Sequence, residues 1–330
     1  MSHLPFEKKT KEILVRKGAK TSPKFGKRPD ERLLSELLES GVVNIDKPKG
    51  PTSHQVSAYV REIFGVSKTG HSGTLDPKVT GCLPVAYGKA TRIVQALLPA
   101  GKEYMCIMHL HAPCEEKVIR EVVATFVGKI KQLPPIKSAV KREWRYRKIY
   151  YVDILEIEGQ DVLFSVGCEA GTYIRKLCHD IGQAIGVGAH MSELRRTKAG
   201  PFNESTLCSL YDLKDALAFY KEDGKEEFIK KILMPVEKAV EHLPKVWIID
   251  SAVNSLCHGA DLKVPGVAKL ETDTQIDDSV AVMTLKDELV ALGRLRMLPV
   301  QVLKEERGIV VKIEKVFMDI GVYPKIGREE

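Results

Sequence analysis

One segment of the sequence concentrates side chains that could do chemistry. Residues 70–81 (GHSGTLDPKVTG) place a carboxylate, Asp76, among three glycines, a histidine and hydroxyl side chains. Glycine lets the backbone approach a ligand closely, and Pro77 restricts the backbone directly after the acid. A carboxylate held in such a stiff loop could serve as a nucleophile, a general base or a metal ligand. Asp-Pro is also a common turn dipeptide, so a purely structural role for Asp76 stays open at this point.

Two other groups of residues could also take part in chemistry. The segment GTYIR at 171–175 sets an aromatic ring and a guanidinium two residues apart, where a helix is predicted to begin. That arginine could pair with a buried carboxylate and keep it ionised, although a surface arginine would give the same letters. His109, His111 and Cys114 could be zinc ligands, because His-x-His lies on one face of a strand. No carboxylate or second cysteine has a suitable spacing, so we disfavour a metal there.

The basic residues of the chain are concentrated in two segments. The 330 residues carry a net charge of +7. Residues 1–30 hold nine Lys and Arg against three acidic residues, and residues 137–148 hold six against one. These segments carry +6 and +5, which leaves −4 on the other 288 residues. Such a distribution is typical of a polyanion-binding surface, although a basic tail and a solvated loop would have the same composition.

Composition excludes several classes of protein. With 44% hydrophobic residues and no run of about 18 apolar residues, the chain is expected to be globular without a membrane span. The first thirty residues lack the apolar core of a secretory signal. Seven cysteines at irregular spacing, without a C-x-x-C pair, favour reduced thiols over disulfides or structural zinc. No glycine-rich segment has the spacing of a phosphate or dinucleotide loop.

Periodicity and turn residues predict the elements that position these side chains. Residues 1–30 are interpreted as an extended arm, and 31–40 as an amphipathic helix that ends at Gly41. A strand at 42–46 leads through a proline-rich turn into a helix capped by Thr52 or Ser53. Further strands are predicted at 83–87, 103–109, 149–157, 161–168 and 191–197, and further helices at 89–98, 115–125, 173–186, 210–220 and 226–240.

The pattern changes near Leu243-Pro244. Beyond that point, short strands alternate with glycine and proline turns, which is typical of a small β-barrel module.

Several of these segments, in this order and spacing, resemble the TruB family of pseudouridine synthases. The resemblance covers about residues 41–205 and rests on Asn44-Ile45-Asp46-Lys47-Pro48, Gly70 to Pro77, Thr80 to Pro84, Lys102-Glu103-Tyr104, Gly171 to Arg175 and Leu194-Arg195-Arg196. The chain is still more similar to the archaeal and eukaryotic branch, the dyskerin-like catalytic subunits of box H/ACA ribonucleoproteins. That likeness lies in the arm at 21–26, in the run 141–151 and in a PUA-like stretch at 258–267.

The resemblance implies an α+β fold in two domains. The catalytic domain would have a mixed, mainly antiparallel central sheet flanked by helices, and a small C-terminal β-barrel PUA domain would follow it. The expected boundaries are 1–40 for the basic arm and its helix, 41–243 for the catalytic domain and 247–325 for the PUA domain. The arm is expected to pack on the PUA domain. Eukaryotic members carry long lysine-rich tails and this chain stops at Glu330, so we expect a cytoplasmic archaeal protein; a eukaryotic one would be nucleolar.

The resemblance also implies a mechanism. Asp76 would attack a flipped uridine, either at C6 of the base or at C1′ of the ribose, and the freed uracil would turn and bond through C5. Tyr104 would stack on the base and take part in proton removal from C5. Arg175 would pair with Asp76 and keep it anionic. No metal or cofactor is implied, because the carboxylate itself forms the covalent bond.

Two further sets of residues follow from the family pattern. The substrate-binding set, which would shape the pocket or hold the flipped nucleotide, is His71, Lys47, Pro48, Tyr173 and Leu194. The RNA-binding set, in the basic loop and the PUA domain, is Lys141, Arg142, Arg145, Arg147, Lys148, His258, Gly259 and Ala260.

The implied partners are RNA and small proteins. They are a box H/ACA guide RNA, a substrate rRNA or tRNA, a small zinc-binding subunit, a small β-barrel subunit and a kink-turn-binding protein. Pro134-Pro135 runs directly into the basic loop, whereas stand-alone members have a longer insertion there, which favours guide-RNA delivery. Two alternatives stay open: a guide-independent synthase for the T-loop of tRNA, and a non-catalytic RNA-binding scaffold. The combination of Asp76, Tyr104 and Arg175 argues against a scaffold.

Overall fold

The computed structural model describes residues 2–8, 12–134 and 141–325, so that Lys9, Lys11, Pro135 and Lys137 lie outside it. The helices of the described part are α1 (Leu34–Glu39), α2 (Ser53–Phe64), α3 (Val94–Leu97), α4 (Glu116–Thr125), α5 (Ile174–Ile185), α6 (Leu210–Asp223), α7 (Glu226–Ile232), α8 (Asp250–Cys257) and α9 (Pro299–Lys304). No helix in these ranges has the length and apolar character needed to cross a bilayer.

The strands of the same ranges are β1 (Ile13–Val15), β2 (Gly41–Lys47), β3 (Thr69–His71), β4 (Thr80–Tyr87), β5 (Lys102–Leu110), β6 (Gly128–Gln132), β7 (Arg145–Glu158), β8 (Asp161–Cys168), β9 (Ala189–Ala199), β10 (Phe202–Asn203), β11 (Leu207–Cys208), β12 (Lys245–Ile248), β13 (Leu262–Lys263), β14 (Val267–Glu271), β15 (Ser279–Thr284), β16 (Leu289–Leu295) and β17 (Ile309–Val316).

A ten-stranded sheet forms the central body. Its main path is β11-β2-β4-β9-β5-β8-β7-β6, with β3 paired to β4 and β10 paired to β9. The pairs β11–β2 and β4–β9 are parallel, and the others are antiparallel. Helices α2, α6 and α5 cover the sheet with buried apolar side chains such as Val56, Leu213 and Ile181. The predicted mixed, mainly antiparallel sheet flanked by helices is therefore confirmed.

A second, seven-stranded sheet lies in the C-terminal part, in the order β1-β14-β12-β15-β16-β17-β13. Side chains alternate between the two faces of a strand, and β15 uses both faces. Val280 and Val282 point into the core of this smaller domain. Ala281 and Met283 instead join a core cluster that contains Ile93 of the catalytic body. The two domains thus share a continuous apolar contact.

The N-terminal arm contacts both domains. Leu4 is fully buried, and the Nζ atom of Lys198 on β9 lies 3.0 Å from the Glu7 carboxylate. Further along the arm, β1 adds an antiparallel edge strand to β14. The backbone N–H of Ser22 donates to the Asp250 carboxylate at 2.8 Å. The arm therefore bridges the catalytic body and the smaller domain.

The basic segment predicted as a loop is partly a strand. Arg145, Arg147 and Lys148 belong to β7, which pairs with β6, a strand that the sequence analysis did not predict. A two-stranded ribbon pairs its backbone groups while the charged ends of long basic side chains remain in water. The high charge of this segment is therefore compatible with a strand, and the predicted loop is wrong for these residues.

Three predicted helices differ from those in the structure. The helix at 31–40 begins only at Leu34, after a separate 3₁₀ turn at Pro29–Glu31. The helix at 226–240 ends at Ile232 and resumes as a 3₁₀ turn at Val236–Val240, because the intervening Pro235 has no N–H to donate. The helix at 89–98 is largely a 3₁₀ helix, Gly88–Ile93, whose three-residue repeat buries Ala90 and Ile93 on one face.

Candidate active site

The loop that carries Asp76 is fixed from both sides. It joins β3 to β4, and the hydroxyl of Ser53, at the start of α2, accepts a hydrogen bond from the N–H of Leu75 at 2.8 Å. The Asp76 carbonyl accepts from the N–H of Val79 at 3.0 Å, which closes a turn around the acid. The side chain of Asp76 remains 56% exposed. The loop is thus rigid in its backbone and open at its carboxylate.

Arg175 reaches this carboxylate from another element. It lies in the first turn of α5, 99 residues further along the chain, and its guanidinium donates to Asp76 Oδ2. The arginine is also 56% exposed. An exposed ion pair is weak in water, but it would strengthen once a bound substrate displaced the solvent. The structure therefore joins the two residues that the sequence analysis could link only through the family pattern.

Lys47 supports the same loop from below. It is fully buried, and its ammonium donates to the carbonyls of Pro48 (2.8 Å), Pro77 (3.2 Å) and Val79 (2.8 Å). Burial lowers the pKa of Lys47, and the negative charge of Asp76 opposes that change. The amine is thus occupied by backbone oxygens.

Pro48 is one of the residues that line a cavity of about 1160 Å³. The cavity lies between α2 and α6 and is also lined by Tyr59 and Tyr211. Pro48 is therefore positioned on the surface beside the loop, unlike the buried lysine that precedes it.

Tyr104 and Arg196 face each other across neighbouring strands of the sheet, β5 and β9. Tyr104 is half-buried, and burial raises the pKa of its phenol. Arg196 is 1% exposed; its Nε atom donates to the Cys82 carbonyl at 2.7 Å, and a terminal nitrogen donates to the Gly73 carbonyl at 3.2 Å. The sequence analysis included Arg196 only as part of a family block. One sequence feature could have indicated its role: Arg196 follows another arginine in a strand, and adjacent side chains in a strand point to opposite faces.

His71 sits at the base of the loop as a neutral imidazole. Burial, together with the nearby His54 and Arg196, lowers the pKa of His71 to about 4. Its Nδ1 atom accepts a hydrogen bond from the N–H of Gly73 at 3.3 Å, and the edge of the His54 ring lies against it with centroids 4.8 Å apart. Because the ring is neutral, it does not attract RNA phosphates, and it is suited to contact with an uncharged base.

The start of α5 is held by a side chain that the sequence analysis missed. Gln132, at the end of β6, is 2% exposed; its Oε1 atom accepts from the Tyr173 N–H at 3.0 Å, and its amide donates to the Tyr173 carbonyl at 3.2 Å. These bonds fix the residue two positions before Arg175. Only the tertiary structure reveals this role, because the two residues are 41 positions apart in the sequence. Leu194 lies on β9 opposite Cys106 and packs against the core beneath α5.

The predicted basic RNA-binding residues of this region lie on β7 and in the segment between β6 and β7. Two exposed aromatic rings accompany them: the Nζ atom of Lys131 lies 4.9 Å from the centroid of the Trp144 ring, and that of Lys129 lies 4.2 Å from Tyr146. Such cation–aromatic pairs form a flat, positively charged surface. The remaining basic side chains bind nearby groups: Lys141 pairs with Glu143, and Arg142, Arg145 and Arg147 donate to backbone carbonyls, while Lys148 is exposed.

The predicted RNA-binding residues of the smaller domain form an exposed turn. His258, Gly259 and Ala260 follow α8, and Gly259 adopts a φ of +86°, which favours glycine. The Ala260 N–H donates to the Ser255 carbonyl at 3.2 Å. The structure therefore places this set on a different domain from the Asp76 loop.

The histidines considered as metal ligands have other partners. His109 lies 2.7 Å from an oxygen of Asp161, and Nε2 of His111 lies 3.0 Å from Nδ1 of His190. Within residues 2–8, 12–134 and 141–325, no group of three or more His, Cys, Asp or Glu side chains is arranged to hold a metal ion.

Family models match the chain in four consecutive blocks. They are described as the DKCLD (NUC011) domain at 1–57, the TruB family pseudouridylate synthase N-terminal domain at 61–174, the tRNA pseudouridylate synthase B C-terminal domain at 175–241 and the PUA domain at 244–317.

Curated relatives match over nearly the whole chain. Proteins named "Probable tRNA pseudouridine synthase B" from Pyrococcus furiosus and Methanopyrus kandleri are 57% and 54% identical to it. Each alignment covers 98% of this chain and 95% of the relative.

Solved structures are similarly close. A chain of a Cbf5-Nop10-Gar1 complex is 57% identical with a TM-score of 0.95, over 98% of this chain and 99% of that one. A chain of an H/ACA RNP bound to a substrate RNA containing 2′-deoxyuridine is 54% identical with a TM-score of 0.92, over 98% and 100%. Fold and site together define an RNA-modifying isomerase with an appended PUA domain. The chain belongs to the TruB family of pseudouridine synthases, which confirms the predicted family, fold and enzyme class.

Proposed function

We propose that this protein is the catalytic subunit of a guide-RNA-directed H/ACA ribonucleoprotein, in which it converts uridine to pseudouridine, chiefly in rRNA. The observation that carries the proposal is the ion pair between Asp76 and Arg175, set in a rigid loop. It occurs in a chain that aligns over 98% of its length with a protein solved in an H/ACA RNP with substrate RNA.

The proposed chemistry uses the groups that are gathered around the Asp76 loop. The Asp76 carboxylate is the nucleophile that attacks the flipped uridine at C6 or at C1′, and the bond between N1 and C1′ breaks. The uracil turns and C5 bonds to C1′, the bond to the Asp76 carboxylate breaks so that the acid is regenerated, C5 gives up its proton to water beside the Tyr104 side chain, and N1 takes one up. The Arg175 guanidinium holds the carboxylate in position for attack. The neutral ring of His71 contacts the flipped nucleotide and helps to keep it out of the base stack. Flipping a base out of the stack costs a few kcal/mol.

RNA and small proteins complete the proposed assembly. One solved relative was determined in a complex with Nop10 and Gar1, and another in an H/ACA RNP bound to a substrate RNA. We extend these partners to this chain, together with a kink-turn-binding protein and a cytoplasmic location. The β6–β7 ribbon, with its lysines beside Trp144 and Tyr146, would contact RNA near the site. The exposed turn after α8 would bind the guide.

Tritium release tests this function. RNA carrying [5-³H]uridine is incubated with the protein, with and without guide RNA and accessory proteins. Release from a ribosomal target only with guide is the expected result. The variant Asp76→Asn should abolish release while guide-RNA affinity stays within a few-fold. Asp161→Asn is the matched control, because that carboxylate is 55% exposed and also ion-paired, yet lies on β8 beside His109.

The relatives' names favour one alternative, a guide-independent tRNA synthase. Release from free tRNA without any guide, and none from the guided target, would replace our proposal with that one. No release from either RNA would leave a binding scaffold, and unchanged release from Asp76→Asn would remove Asp76 from its role.

A further inference from the structure

A buried cation lies beneath the site and has no part in the mechanism above. Arg196 is 1% exposed, and the two hydrogen bonds of its guanidinium to backbone atoms go to the neutral carbonyls of Cys82 and Gly73. In the described part of the chain no carboxylate lies within ion-pair distance of it. A buried charge without an ionic partner is costly, so its other contacts must compensate for it.

The first contact is the loop that carries Asp76. The guanidinium holds the Gly73 carbonyl at 3.2 Å, three residues before the acid. At the other end of the loop, Gly81 of β4 pairs with Arg196 itself in parallel register. A Cβ atom on Gly81 would lie only 2.2 Å from the Arg196 carbonyl oxygen, so the two backbones touch. One residue therefore anchors both ends of the Asp76 loop.

The second contact is Tyr104. It lies directly across from Arg196 in the antiparallel pairing of β5 and β9. Burial raises the pKa of the phenol, while the charge of Arg196 and its hydrogen bond to the tyrosine side chain lower it. Burial is the larger effect, so the Tyr104 hydroxyl stays protonated, and the positive charge of Arg196 opposes only part of that change.

We propose that Arg196 is a positioning residue for the reaction, which holds the Tyr104 hydroxyl and the Asp76 loop in fixed relation from beneath the pocket. This inference rests on the proposed function of the site. Its contacts link the loop of the nucleophile to the side chain that takes part in proton removal, although one lies between β3 and β4 and the other on β5. A single rigid fork with several donors can do this, whereas a lysine cannot reach both partners in the same geometry.

The neighbouring arginine provides a matched control. Arg195 points to the opposite side of β9, where its guanidinium binds both oxygens of Asp46 at 2.9 and 3.0 Å and Glu204 at 2.6 Å. It has more ion-pair contacts than Arg196 but none with Tyr104 or with Gly73 among the contacts described. A variant of Arg195 therefore reports the cost of losing a structural arginine from the same strand.

The test compares Arg196→Met, Arg196→Lys and Arg195→Met in the complete guide complex, under single turnover. Removing a preorganised donor typically lowers a rate about 100- to 1000-fold, and we expect a loss of that size in Arg196→Met with guide-RNA affinity within about three-fold. Arg196→Lys should recover part of the rate, and Arg195→Met should stay within a few-fold of wild type. A wild-type rate in either Arg196 variant, or an equal loss in Arg195→Met, overturns the proposal.

A second measurement separates electrostatics from folding and does not depend on activity. The imidazole of His71 is followed by NMR titration in the RNA-free protein, with its resonance identified by its loss in His71→Asn. Arg196 is one of the groups that lower the pKa of His71, so Arg196→Met should raise that pKa towards its ordinary value. Arg195→Met should leave it in place. If the wild type itself releases no tritium, the proposed function fails. The titration still tests the placement of Arg196, because an unchanged pKa of His71 in Arg196→Met would refute that placement.

Discussion

His71 makes the stability of the folded protein depend on pH in a way that can be measured. Its pKa is about 4 in the folded chain, chiefly through burial, against an ordinary value of 6.5. Above pH 6.5 the ring is neutral in both the folded and the unfolded state. Between pH 6.5 and 4 the unfolded chain binds a proton that the folded protein does not, so folding loses free energy as the pH falls.

The size of the effect follows from the two pKa values. The full difference of about 2.5 units corresponds to about 3 kcal/mol, and about 2 kcal/mol of it is lost between pH 7.5 and 5. The variant His71→Asn removes the titrating group, and its side-chain oxygen can still accept the hydrogen bond from the Gly73 N–H that Nδ1 accepts at 3.3 Å. We therefore expect the wild type to lose about 2 kcal/mol more than the variant over this range.

Guanidinium unfolding at pH 7.5 and 5 provides the assay, followed by a probe of the catalytic domain. Carboxylates elsewhere also titrate over this range, but they are common to both proteins and cancel in the difference. Equal losses of unfolding free energy in wild type and His71→Asn, within about 0.5 kcal/mol, would refute the assignment of a neutral, partly buried His71.

Three further perturbations test other parts of the structure. Gln132→Leu removes both hydrogen bonds to the Tyr173 backbone, so pseudouridine formation should fall about ten-fold or more while thermal unfolding shows a loss of about 1–3 kcal/mol; an unchanged rate would show that α5 needs no such support. Leu4→Ala empties a fully buried position where the arm meets the catalytic body and should cost about 2–5 kcal/mol; a melting temperature equal to wild type would contradict that packing. Replacing Lys129 and Lys131 by alanine should reduce the slope of log K against log[salt] for RNA binding by about 1–2, with pseudouridine formation in saturating RNA little changed; an unaltered salt slope would place RNA elsewhere.

Local sequence predicted those features whose causes are local. Glycines and a proline around Asp76 indicated a stiff loop, and alternating or helical apolar patterns located most strands and helices of the catalytic domain. The wrong element predictions also have local causes. Pro235 interrupts the helix predicted at 226–240, and a three-residue burial pattern turns much of 89–98 into a 3₁₀ helix. In the basic segment, the high charge led to a predicted loop, whereas Arg145 and Arg147 are alternate residues of a strand.

By itself, the sequence determined the family, through motifs whose order and spacing are specific, and hence the fold class and the chemistry to look for. Which side chains meet was decided only by the tertiary structure. Arg175 reaches Asp76 across 99 residues, and Gln132 holds the start of α5 across 41, because the fold brings together strands and helices that are far apart in the sequence. The two adjacent arginines show the limit most clearly. Arg195 and Arg196 have the same letters, and only the face of β9 on which each lies makes one a surface ion pair and the other a buried cation under the site.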